Sequence, residues 1–279
     1  RLRSRLAIDE EQGACGGTSA ACLLADFLIH IRDSMRKHHA MKLILIAMLA
    51  GVASIAPVSA STFNISPIRA ELSSSHRTEA LTLMNADDSP VVVQIRVVSW
   101  SQKSGAEQLE DTRELLATPP VLQIPANGQQ IIRVALRREP DPTLELTYRV
   151  IFEEVPQAAP KDFTGLRVAL RLSIPVFVSP AQGKANADVA WHSRWLPNGQ
   201  LELAATNSGS GHLQITDFEA QFPGSLMPLR GVTSKYVLPG SRMSWTLTPP
   251  ADATRQGAIP IRGHSDKGKF SADVSPSDL

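Results

Sequence analysis

The chain has 279 residues, with 28 Lys and Arg against 27 Asp and Glu, a formal charge of +1 and 5% aromatic residues. That balance, with no dense basic tract, excludes a nucleic-acid binder that works through phosphate neutralisation. Two cysteines, Cys15 and Cys22, are the only thiols, and both lie near the amino terminus.

Residues 1–34 show no helix or strand period, and residues 1–40 are set aside as an upstream extension. Residues 41–60 read as a signal peptide. Arg36, Lys37 and Lys42 precede an unbroken apolar and small-residue run at 43–56, and Val58, Ser59 and Ala60 supply small side chains for cleavage. A membrane span is the weaker reading, because about 20 apolar residues are needed to cross a bilayer. Cleavage after Ala60 would leave residues 61–279 with no cysteine, so packed cores must stabilise them without a disulfide.

From residue 61 the pattern is that of short strands separated by turn residues. Strands are predicted at 80–84, 91–100, 121–124, 130–136, 146–155 and 166–178. Turns are predicted at Asn85 to Pro90 and at Pro125 to Gly128. Residues 179–184 break the pattern and read as a linker. Shorter strands follow at 201–205, 213–218, 236–238, 243–247, 258–261 and 269–274. No sustained helical period appears. The reading is all-β, with two β-sandwich domains at 61–181 and 182–279.

The segment 166–178 is predicted to be the longest strand. Leu166, Val168, Leu170, Leu172, Ile174 and Val176 share one face, and Arg167, Ala169, Arg171, Ser173, Pro175 and Phe177 share the other. Pro175 cannot donate a ladder bond, which favours an edge strand or a bulge. A long edge with an aliphatic face invites pairing with another chain. The alternation alone fits a central half-buried strand equally well.

No enzyme signature stands out, and no catalytic residue, metal or cofactor is expected. His76, His192, His212 and His264 are scattered, without metal-ligand spacing. Glu153 and Glu154 are neighbours on a strand and face opposite sides. The run from Gly209 to His212 reads as a hairpin turn. Trp100, Trp191, Trp195 and Trp245 could form a sugar platform, but core packing is the better expectation.

Several segments resemble the periplasmic chaperones of the chaperone–usher pilus pathway, and a departure from their pattern at Pro175 suggests the archaic branch. The segment 64–72, NISPIRAEL, resembles their first strand, with its arginine at Arg69. The segment 118–134, from Thr118-Pro119-Pro120 through Gly128 and Gln130 to Arg133, resembles their most specific motif. The segment 146–156 resembles the strand before the donor strand, and 165–180 resembles the donor strand itself. The resemblance implies two immunoglobulin-like sandwiches arranged as a boomerang, in the periplasm. It implies pilus subunits (pilins and a tip adhesin) and an outer-membrane usher as partners, with no nucleic acid and no small-molecule substrate. Self-association through the edge strand is a further expectation. The lent strand would insert Leu166, Val168, Leu170 and Leu172, with Ile174, into a subunit groove.

Family members pair the first-strand arginine with a donor-strand lysine to grip the subunit's terminal carboxylate. The matching position here is Pro175. Arg69 keeps the role, and Arg149, between Tyr148 and Val150, is the candidate second cation. An ion pair of Arg149 with Glu153 is the competing reading. The competing function is a secreted adhesive or carbohydrate-binding sandwich, and a hydrolase with an unseen site is a third.

Overall fold

The computed structural model describes residues 63–156 and 168–277, which belong to one compact unit. The predicted signal segment 41–60, the extension 1–40 with both cysteines, and Leu166 lie outside the described residues. Among the described residues every regular element is a strand.

The first sandwich contains β1 (Phe63–Ser66), β2 (Ala70–Leu72), β3 (Thr78–Asn85), β4 (Val91–Lys103), β5 (Ala106–Asp111), β6 (Leu115–Thr118), β7 (Val121–Ile124), β8 (Gln129–Leu136), β9 (Leu146–Glu154) and β10 (Arg171–Val178). One sheet has the order β1-β3-β8-β6. The other has the order β2-β10-β9-β4-β5, with β7 also on β4. Alternate residues of both sheets point into a shared core that includes Leu81, Leu83, Val93, Ile132, Val134, Val150, Phe152 and Val176. Each of these is fully enclosed, so truncating one removes packing that no solvent can replace.

The second sandwich contains β11 (Val189–Trp195), β12 (Leu201–Asn207), β13 (Leu213–Ala220), β14 (Leu229–Val237), β15 (Arg242–Leu247), β16 (Ile259–Ser265), β17 (Gly268–Val274) and β18 (Pro276–Ser277). Its sheets run β15-β12-β11-β18 and β14-β13-β16-β17. They close over a separate core built on Leu203, Ile215, Phe218, Phe222 and Val237. The all-β, two-sandwich expectation therefore holds.

Three expectations about elements change. First, β4 is 13 residues long and turns through Ser104 and Gly105, both at positive φ (52° and 79°), into β5. The sequence of β5, AEQLED, carries no apolar face, because all six residues are exposed on a sheet edge. Second, the burial phase of β4 changes along its length. Val91, Val93 and Ile95 face the sandwich core, but Val98 and Trp100, on the opposite face, are also buried. Trp100 packs with Phe177, Leu238 and Tyr236, where the two sandwiches meet. Third, the segment from Gly209 to His212 is not a hairpin turn. It joins β12 to β13, which lie in different sheets. A Cβ on Gly209 would fall 2.2 Å from Asn186 O, so glycine is what lets residues 186–188 lie against this connection.

Asn207 organises that crossing. It is fully buried, and all its side-chain capacity is used. Its Nδ2 donates to Gly211 O (2.8 Å) and Val237 O (3.0 Å), and its Oδ1 accepts from Asp188 N (3.0 Å) and Gly209 N (2.9 Å). Removing it strands two carbonyls in a buried site and two N–H groups at its part-buried rim. Asn207→Ala is expected to lower stability by about 3 kcal/mol. Chemical denaturation checks this: the midpoint should fall with little change in slope, and an unchanged midpoint would refute the role.

Candidate binding edge and cationic cluster

The open edge of β10 follows from how little of it β2 covers. On one side β10 pairs antiparallel with β9 along its whole length, from Arg171↔Glu153 to Val178↔Leu146. On the other side β2 pairs parallel with Val176, Phe177 and Val178 alone. From Arg171 to Pro175 that second side carries no strand among the described residues.

The alternation of ladder bonds assigns each backbone group to a side. Glu154 N donates to Leu170 O at 2.9 Å, and Ser179 N donates to Leu72 O at 2.9 Å. Even-numbered residues thus bond to β9, and odd-numbered residues face the open edge and β2. Arg171 and Ser173 present ladder groups there that meet no strand among the described residues. Pro175 sits opposite Arg149, and its missing N–H falls on the open side, where it costs no bond to β9.

The aliphatic face does not behave uniformly. Val168 is 54% exposed. Leu170 and Leu172 are half-buried at the margin of the first core. Ile174, expected to insert into a partner, is instead 7% exposed and part of its own sandwich's core. The strand itself begins at Arg171, and residues 168–170 lie outside regular structure, so the described β10 is shorter than the predicted strand and shorter than β4. Alternation is blind to which sandwich owns the buried face.

Beside the point where β2 closes the edge stands Arg69, one residue before Ala70. Its Nη2 lies 3.0 Å from Glu71 Oε1, and its Nη1 lies 3.3 Å from Oδ2 of Asp266, in the turn between β16 and β17. Its side chain is one-third exposed. Arg149 lies on β9 across from Pro175. Its guanidinium sits over the Trp100 ring, 3.8 Å from the centroid. It donates to Glu107 Oε1 (3.1 Å) and Ser173 Oγ (3.4 Å), while its buried Nε has no hydrogen-bond partner. The expected alternative, a pair with Glu153, is not formed: Glu153 pairs with Arg171 at 3.1 Å.

The two cations converge on Tyr236 of β14. Burial raises the Tyr236 phenol above its ordinary value, and the charges of Arg69 and Arg149 both act against that rise. The phenol edge meets Trp100 at 5.3 Å and lies 5.5 Å from Phe177. Gln102 ties the same place together, donating to Tyr236 O (2.8 Å) and accepting from Leu238 N (3.0 Å). The arrangement can bind an anion: two guanidiniums beside one phenol, over a dry aromatic floor, favour a carboxylate. Sequence reasoning missed Tyr236, Asp266, Glu107 and Gln102, because each reaches the site from a segment far away in the chain.

The sugar-platform alternative finds little support here. Trp100, Trp195 and Trp245 are buried, and Trp191 stacks between Trp245 and Phe270.

Comparison with known proteins bears on the fold that carries this site. Residues 62–184 match the model of the pili and flagellar-assembly chaperone family, PapD N-terminal domain. The fold is similar to the chaperone–tip adhesion subunit pre-assembly complex of the archaic chaperone–usher Csu pili of Acinetobacter baumannii. That match has 22% identity and a TM-score of 0.59, and covers 77% of this chain and 99% of that one. It is also similar to the YadV chaperone, at 20% identity and a TM-score of 0.55, covering 76% and 98%. The Escherichia coli chaperone DraB gives 21% identity and a TM-score of 0.52, covering 77% and 98%. No curated protein sequence matches. Residues 62–184 belong to the family of pili and flagellar-assembly chaperones, in a chain whose two sandwiches share the fold of solved pilus chaperones.

Proposed function

We propose that this protein is a non-enzymatic periplasmic chaperone that captures pilus subunits by strand addition and passes them to an outer-membrane usher. The observation that carries the reading is the edge of β10, open from Arg171 to Pro175 and stopped at Val176, beside Arg69. An unpaired row of N–H and C=O groups is a template for another strand. Similar folds are seen in the Csu chaperone–tip adhesion subunit complex and, at 18% identity and a TM-score of 0.54, in a Salmonella enterica SafA pilin bound to the SafB chaperone. Their partners are the class of partner proposed here. Export through residues 41–60 is part of the same reading.

The geometry also favours a direction. A strand added to the open edge can pair only as far as Pro175, where β2 takes over. If its carboxyl end is the end held at Arg69, that strand runs parallel to β10. Main-chain bonds to Arg171 and Ser173 supply affinity. Val168, Leu170 and Leu172 supply apolar contacts, with Leu166 as a fourth candidate. Full burial of each would contribute roughly 1.5–3 kcal/mol, less for the two leucines already half-covered. Ile174 stays in its own core. The terminal carboxylate would displace Asp266 or Glu71 from Arg69, with Arg149 as the second cation.

Two substitutions test this. Arg69→Ala removes a two-pronged carboxylate donor, and subunit binding is expected to weaken by roughly 2–3 kcal/mol, about 30- to 150-fold. Titration calorimetry against a purified subunit checks it, with circular dichroism to confirm an intact fold; unaltered affinity would remove the anchor. Val168→Glu with Leu170→Glu puts two charges where an apolar groove must close. Co-expression is expected to yield no soluble one-to-one complex, and normal recovery of the complex would mean that another strand is lent.

A further inference from the structure

His212 precedes β13 in the second sandwich, and its side chain is 5% exposed. It faces a carboxylate on each side. Nδ1 lies 2.6 Å from Oε1 of Glu145, which precedes β9 in the first sandwich. Nε2 lies 3.4 Å from Oδ2 of Asp266, an ion-pair contact without a hydrogen bond. The ring stacks on Phe177 of β10, with centroids 3.6 Å apart and planes 11° from parallel. The backbone completes the clasp: His212 N donates to Glu145 Oε1 (3.1 Å), and Glu145 N donates to Ser210 O (2.9 Å).

A neutral imidazole has one N–H and one lone pair, so it can donate to only one of two flanking carboxylates. The other nitrogen would then point its lone pair at an anion. Imidazolium donates to both. The remaining charges nearby do not replace it. Arg69 (3.3 Å) and Lys267 (3.7 Å) both stand at Asp266, and Gln214 N donates to Asp266 Oδ1 at 2.9 Å. No cation other than His212 pairs with Glu145 among the described residues. Tyr236 closes a third side, its ring 5.6 Å from the imidazole, with Arg149 beyond it over Trp100.

We infer that His212 is a protonation-dependent pin between the two sandwiches: charged, it bridges Glu145 and Asp266 and fastens the joint, and on losing its proton it releases one of them. Burial opposes the charged ring, but the nearby carboxylate of Asp266 and the hydrogen-bonded carboxylate of Glu145 outweigh it and hold the His212 pKa above its ordinary 6.5. A raised folded-state value means that the stabilisation is complete below about pH 6.5 and is lost as pH rises through the folded value. Asp266 bounds the other side. Burial raises it, and the ion-pair contact with His212 and the hydrogen bond from Gln214 N more than compensate, lowering it to about 2. Its contribution is present above its ordinary 3.8 and is lost as pH falls towards 2. The joint is therefore firmest in mildly acidic solution.

Hydrogen exchange in the full exported chain tests the pin, read at the amides of Glu145 and His212, whose bonds cross the joint. After correction for intrinsic rates, protection should fall by up to about tenfold per pH unit once pH passes 6.5. In His212→Gln that slope should vanish, whereas His264→Gln, altering an exposed ring paired with Asp217, should keep it. A flat profile in the parent, or the parent's slope in His212→Gln, would overturn the proposal. If His212→Gln fails to fold, the imidazole resonance of His212 in the parent decides: it must titrate above 6.5 in step with the loss of protection, and titration at or below 6.5 would overturn it equally.

Discussion

Among the described residues, the backbone of β10 has a strand on both sides for three residues and on one side for the five before them. This unequal pairing is the constraint on which the rest of the structure depends. Every exposed N–H and C=O on an edge is a potential bond, and long open edges are hazards that proteins usually cover. Here β2 is only three residues long and runs parallel to β10, so it stops the edge at Val176 without sealing it. Pro175 stands at the boundary. Because its missing donor falls on the open side, it weakens nothing inside the sandwich and leaves β9 fully paired.

The surroundings of this edge are charged on one flank and dry on the other. Arg69 and Arg149 would be costly to crowd together in a partly buried place unless acids or aromatic rings compensated them. Asp266, Glu71 and Glu107 supply the acids, and Trp100 supplies a ring face for Arg149. Glu71 is local to Arg69, but Glu107 and Asp266 come from distant segments, the latter from the second sandwich. The same Asp266 serves Arg69 and His212, so the proposed anchor and the joint share a carboxylate. A change in either should be felt by the other.

Much of this architecture was legible in the sequence. Alternation at 91–97 and 130–136, with turn residues between, is enough to define half-buried strands, and Pro175 falls in the part of β10 that β2 leaves uncovered. Arg69 could be singled out through the resemblance of its segment. What was not legible depended on distance or on context. β5 escaped because a strand exposed on all six residues has no apolar period to read. The burial of Ile174 escaped because a period of two defines a face but not the body that covers it. The acid partner of Arg149 was not legible: the competing reading offered the local Glu153, whereas the β4–β5 hairpin brings Glu107 across the sheet. Gly209 and Gly211 suggested a turn by composition, and they serve instead for the close approach of residues 185–188.

The central claim is that the odd-numbered edge of β10 receives a partner strand. The most direct measurement is amide hydrogen exchange at Arg171 and Ser173, free and in complex with a purified pilus subunit. Those two amides should exchange quickly in the free protein and become strongly protected in the complex, while the already paired amides of Leu172 and Ile174 change little. Equal exchange at Arg171 and Ser173 in both states, or new protection confined to the β5 edge, would contradict the account.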